Sequence, residues 1–197
     1  MEIYLDFLYS AFLLLALVSA YEFATTSLKF PSQTIEVCAS GVAIGLMTII
    51  ILSNPVHVSK GIFVDARWVL LSCCAIFLNW RVVLIGGIMA AGYRYFQGGA
   101  GAFPGVMTVV TAIIIGYSWR FALVRFNLEF RWYMHYIFAF TLELMIIGVI
   151  YTFMPGGKGP MVASVITQPL LVLFPFVSTI LSLLMQHHWK RGVVGFN

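Results

Sequence analysis

Hydrophobic positions along this chain come in long blocks, separated by short polar or glycine- and proline-bearing stretches. A helix needs about 20 largely apolar residues to cross a bilayer. Seven blocks approach that length, over roughly 4–24, 34–53, 62–80, 82–97, 103–121, 132–154 and 161–186. The pattern predicts an all-α, polytopic transmembrane helical bundle of about six to seven spans, one domain over 1–186. The fourth block is short, which suits a tilted or partly re-entrant helix. Pro31, Pro55, Pro104, Pro155 and Pro160 stand at or near block ends, where helices are punctuated. Pro169 and Pro175 fall inside the last block and predict a kink there. The first block closes on "LVSAYE", a small-x-small pattern that resembles a cleavage site. Its leading residues carry Glu2 and Asp6 where a signal peptide is positive, so it reads as a retained first helix.

Composition strengthens the membrane reading. Hydrophobic residues make up 61% and charged residues 9%, against about 25% charged in a soluble domain. The net charge of +4 does not point to nucleic acid. The basic residues are scattered singly between apolar blocks, with no cluster longer than Lys190–Arg191. Cys38, Cys73 and Cys74 lack metal-ligand spacing and read as packing residues, so no metal or cofactor is implied. The histidines are dispersed, and none stands at catalytic spacing from an acid. No enzymatic activity is expected of this chain.

The basic residues also set an orientation. Lys29, Arg81, Arg120, Arg125, Arg131, Lys190 and Arg191 fall on one side of the predicted bundle, with Lys60 and Lys158 on the other. An N-out, C-in arrangement follows, with 187–197 as a short basic cytoplasmic tail. Trp80, Trp119, Trp132 and Trp189 fall at the same predicted cytoplasmic ends, as an interfacial belt would, and His135, His187 and His188 read as anchors beside them.

Arg67 and Arg94 remain inside the blocks. Arginine within a span faces the bundle interior or a watery cavity, with a partner. Gly87, Ala91, Arg94 and Gly98 share one helical face, whose small residues permit close packing and turn Arg94 inward. Arg67 would lie about 8–9 Å into its helix and Arg94 about 5–6 Å from the end of its own, at similar depth near the outer face. Asp65 stands two residues from Arg67, off its face in a regular helix, and is free to pair with Arg94 or Arg67. Two readings stay open. The charges fix packing as an ion pair, or the two guanidiniums, with one aspartate between them, hold a small monoanion such as a carboxylate through paired hydrogen bonds. Glu143, in the middle of the sixth block, must be neutral or paired. Gln168 is a candidate lining residue.

The runs "GIFVDARWVLLSCCAIF", "GGIMAAGYRYFQGGAGAFPGV" and "AIIIGYSWR" resemble the five-transmembrane input module of LytS-type sensor histidine kinases, which also precedes some bacterial diguanylate cyclases. The shared elements are Gly61, Asp65 and Arg67, then Arg94, Gly98, Gly99 and Gly101, with Gly105 and Gly116 following, over roughly 36–122. The resemblance implies a signal-sensing role in a bacterial inner membrane. It makes the paired arginines ligand contacts, Thr108 a hydroxyl donor near the glycine-rich loop, and small carboxylates such as 2-oxo acids the ligand class. It also implies a homodimer and a cytoplasmic kinase or cyclase output domain. The chain stops at "KRGVVGFN" without a kinase or cyclase signature, which suits an isolated input module or one that works through a partner. A small organic-anion transporter is the alternative.

Overall fold

A computed structural model describes residues 2–28, 30–59, 62–128 and 131–190. Lys29, Lys60, Gly61 and the tail beyond Lys190 lie outside the described residues, as do the side chains of His187, His188 and Trp189. The elements are α1 (Glu2–Ser27), α2 (Gln33–Ser53), a hairpin of β1 (Val56–Ser59) and β2 (Ile62–Val64), α3 (Arg67–Phe77), α4 (Trp80–Gln97), α5 (Ala102–Arg125), α6 (Trp132–Phe153), a 3-10 turn at Pro155–Gly157, α7 (Gly159–Val172) and α8 (Phe174–Lys190). Among the described residues, four helices, α1, α2, α5 and α6, are long and apolar enough to cross a membrane, or five spans if the bent pair α7–α8 counts as one. The protein is an all-α, multi-pass membrane protein.

The expected six to seven spans are not confirmed, because the third and fourth blocks do not yield helices long and apolar enough to cross a membrane. Residues 62–64 pair with β1 instead of starting a helix, with Val56 opposite Val64 and His57 opposite Phe63. That leaves α3 only 11 residues, about 16 Å of helix against a hydrocarbon core of about 30 Å. The 18 residues of α4 include Arg81 and Arg94 together with glycines and tyrosines, too polar a mixture for a lipid-facing span. The predicted kink is present: α7 and α8 meet at 48°, with Pro169 inside α7 and Pro175 in the first turn of α8.

Local chemistry sets several boundaries. The Ser32 side chain accepts from the Ile35 amide at 3.3 Å and starts α2. Asn79 accepts from the Arg81 amide at 3.0 Å and starts α4 only two residues after α3 ends. α3 sits at the centre, buried from Arg67 to Phe77, and packs on α4, α5 and α8. α2 lies along α4, and α6 lies along α5, α7 and α8. A fully buried helix with apolar residues all round is a core element. Its first residue therefore lies inside protein and away from lipid.

Candidate functional site

Three chain ends meet where α3 begins, α4 ends and α5 begins. α4 stops because Gly98 adopts φ 66° and ψ −154°, and Gly99 follows at φ 81°, a left-handed region that glycine enters without cost. The chain then turns through Gly101 into α5. Neither α3 nor α5 has a side-chain hydrogen bond at its N-cap or an acidic residue in its first turn. The α5 end therefore presents an uncompensated positive dipole, whereas the α3 end is met from outside the helix by Asp65, two residues before Arg67.

Arg67 is the first residue of α3. This corrects the depth expected from a continuous third span, because the hairpin supplies the preceding residues. Asp65 Oδ1 accepts from the Arg67 backbone amide at 3.2 Å, and Asp65 Oδ2 lies 3.3 Å from Arg67 Nη1. Asp65 thus pairs with Arg67, its sequence neighbour, in the irregular turn before the helix. Arg67 Nη2 donates to the Gly105 carbonyl in the first turn of α5 at 3.1 Å. Its Nε and Nη1 have no hydrogen-bond acceptor, although the side chain is 3% exposed; the Nη1–Asp65 contact is coulombic and out of line. Arg94 is also buried. Its Nη1 donates to the Gly98 carbonyl at 3.1 Å and more weakly to Gln97 Oε1 at 3.4 Å. Gln97 in turn reaches the Leu52 carbonyl at the end of α2.

Gly105 shows how close the two guanidiniums come. A Cβ placed there would stand 2.7 Å from Arg94 Nε and 2.8 Å from Arg67 Nη2, so those nitrogens are at most 5.5 Å apart, the two distances laid end to end. Gly101 makes the same allowance for Arg94 Nη2, at 2.7 Å. Two unit charges at that separation repel by about 3 kcal/mol at an effective dielectric of 20. Asp65 is the one acid paired with them among the described residues. The niche therefore carries one excess positive charge, the uncapped N-terminus of α5 and unsatisfied buried donors on Arg67. Buried charge of this kind is costly unless an anion completes it.

The structure brings Arg67, Arg94, Asp65 and Gly98 together, with Gly99 in the adjoining turn. Thr108 is buried one turn along α5, and its hydroxyl donates to the same Gly105 carbonyl at 2.8 Å. Gln168 is exposed on α7. Glu143 is paired, as expected, though with an indole and not a cation. Trp68 Nε1 donates to its two oxygens at 3.3 and 3.2 Å. His135 is a second correction. It is fully buried, with Nδ1 2.6 Å from Ser182 Oγ and Nε2 3.1 Å from Gln186 Oε1, so it joins α6 to α8 and does not anchor in an interface. Trp80 and Trp132 are exposed as belt residues would be. Sequence reasoning missed the hairpin, the Gln97 bridge and Trp68. The alternation in "VHVSKGIFV" could have revealed the first.

These features define a multi-pass helical membrane module with a buried, positively charged niche. A family model described as "5TMR of 5TMR-LYT" matches residues 22–188, and the chain belongs to that family, the LytS-type five-transmembrane sensor module. No curated protein and no solved structure matches the chain.

Proposed function

We propose that this chain is a signal-input module that binds a small carboxylate between Arg67 and Arg94 and passes occupancy to a cytoplasmic kinase or cyclase output domain, as part of a homodimer. In this reading the protein sits N-out and C-in in a bacterial inner membrane, and the niche opens toward the outer face. The observation that carries it is the pair of unsatisfied, buried Arg67 donors next to Arg94 across Gly105. A carboxylate offers two acceptor oxygens to a planar guanidinium and removes the excess charge in one step. A 2-oxo acid adds a carbonyl acceptor within reach of Thr108, whose hydroxyl can turn from Gly105 toward a ligand.

A ligand that binds the folded state raises its stability by mass action. Pyruvate, a small 2-oxo monoanion, is expected to raise the thermal unfolding midpoint of the detergent-purified protein, and to leave Arg94→Ala unmoved. The break between α7 and α8 also suits a small organic-anion permease. Pyruvate uptake into proteoliposomes would favour that reading, whereas stabilisation without uptake supports the sensor.

A further inference from the structure

The buried face of α8 repeats itself. Val177, Leu181 and Met185 form an apolar row at i, i+4 and i+8, and Ser178, Ser182 and Gln186 form a polar row with the same spacing. In the present register His135 takes Ser182 and Gln186. Ser178, fully buried one turn earlier, has no partner for its hydroxyl. A buried hydroxyl without a partner is uncommon and needs a reason.

We infer that α8 is a sliding helix with two registers, and that Trp68 couples the arginine niche to the choice between them. A shift of α8 toward its own C-terminus by four residues, about 6 Å with a turn of about 40°, would bring Ser178 and Ser182 opposite His135. Because only Leu173 joins α8 to α7, the last turn of α7, at Pro169, must unwind to supply the length. The apolar row would refill its own contacts, because each residue moves into the place of the next. One-turn ratchets of this kind are an established class of helix transition. The feature that breaks the repeat is aromatic. Phe174, the first residue of α8, packs on Trp68 with ring centroids 6.3 Å apart and edge-on against Phe7 of α1 at 5.7 Å. Trp68 is held by Glu143 of α6 and directly follows Arg67. Movement of the Arg67 backbone on anion binding therefore reaches the residue that fixes the α8 register. The coupling to ligand rests on the proposed carboxylate site; the two registers do not.

Spin labels at Tyr151→Cys and Leu184→Cys, both exposed, report the slide by pulsed dipolar distance measurement in nanodiscs. Exposed Cys38 is replaced by serine, while Cys73 and Cys74 stay buried and unlabelled. Gln186→Ala and Phe174→Leu each weaken the present register. Each is expected to produce a second population about 6 Å longer, and adding Ser178→Ala is expected to remove it. A single unchanged distance in both variants, or a spread that ignores Ser178→Ala, overturns the two registers. Calorimetry with pyruvate runs on the same samples. Pyruvate binding that leaves the distances unchanged overturns the coupling. A second population in samples that bind no pyruvate supports the slide and counts against the carboxylate site alone.

Discussion

Gly105→Val abolishes carboxylate binding while the helices stay in place: this is the expected result of filling the space between the two guanidiniums. The added Cβ would meet Arg94 Nε at 2.7 Å, Arg67 Nη2 at 2.8 Å and Arg94 Cγ at 2.9 Å. Arg94 Cγ is not the free end of a chain, so its side chain cannot swing clear without changing rotamer. Each charge-assisted hydrogen bond lost is worth about 1.5–3 kcal/mol. Displacing both arginines should weaken binding by at least about 100-fold. Gly92→Ala is the control, because its added Cβ meets nothing within 4 Å and alanine favours the helix. Titration of both variants with pyruvate, with circular dichroism to verify helix content, separates a blocked site from a collapsed fold.

Gly116→Leu should destabilise the fold strongly. Gly116 of α5 packs against the Ser72 backbone carbonyl of α3, and a Cβ there would also stand 2.6 Å from Ala75 Cβ. Backbone cannot rotate away as a side chain can, so the two helices must separate. Overpacking of this kind costs about 1–3 kcal/mol and occasionally more, and leucine adds three further carbons. We expect a fall in the unfolding midpoint of roughly 2–12 °C. The niche should weaken too, since Arg67 begins the displaced helix. Gly148→Leu on exposed α6 surface, where an added Cβ meets nothing within 4 Å, should stay close to wild type.

Both predictions use glycines that the family resemblance marks, whereas helical spacing was what made Arg94 legible. Gly87, Ala91, Arg94 and Gly98 share a helical face, and the structure turns that face inward. Hydropathy blocks located α1, α2, α5 and α6, and Pro169 and Pro175 located the bend. Blocks failed at α3, because a helix enclosed by protein and a helix spanning lipid are equally apolar. The strand Ile62–Val64 was absorbed into a helix for the same reason. The contacts of Trp68 with Glu143 and Phe174 join residues far apart in the chain, and no local pattern announces them. His135 failed differently. Its place beside Trp132 at the start of a span is that of an interfacial anchor, and tertiary packing against α8 decides otherwise. Gln168 sits on an exposed face of α7 that the hydrophobic pattern near Pro169 does not resolve.

In the proposed site the two arginines hold a carboxylate and do not merely hold the protein together. Calorimetric titration of wild type, Arg67→Ala and Arg94→Ala with pyruvate tests it most directly. Saturable binding with about one site per chain is expected in the wild type, reduced by at least about tenfold in each variant, the loss of one charge-assisted contact. Equal affinity in all three proteins, or no wild-type binding to pyruvate or other small carboxylates, would contradict it and leave Asp65, Arg67 and Arg94 as a packing device.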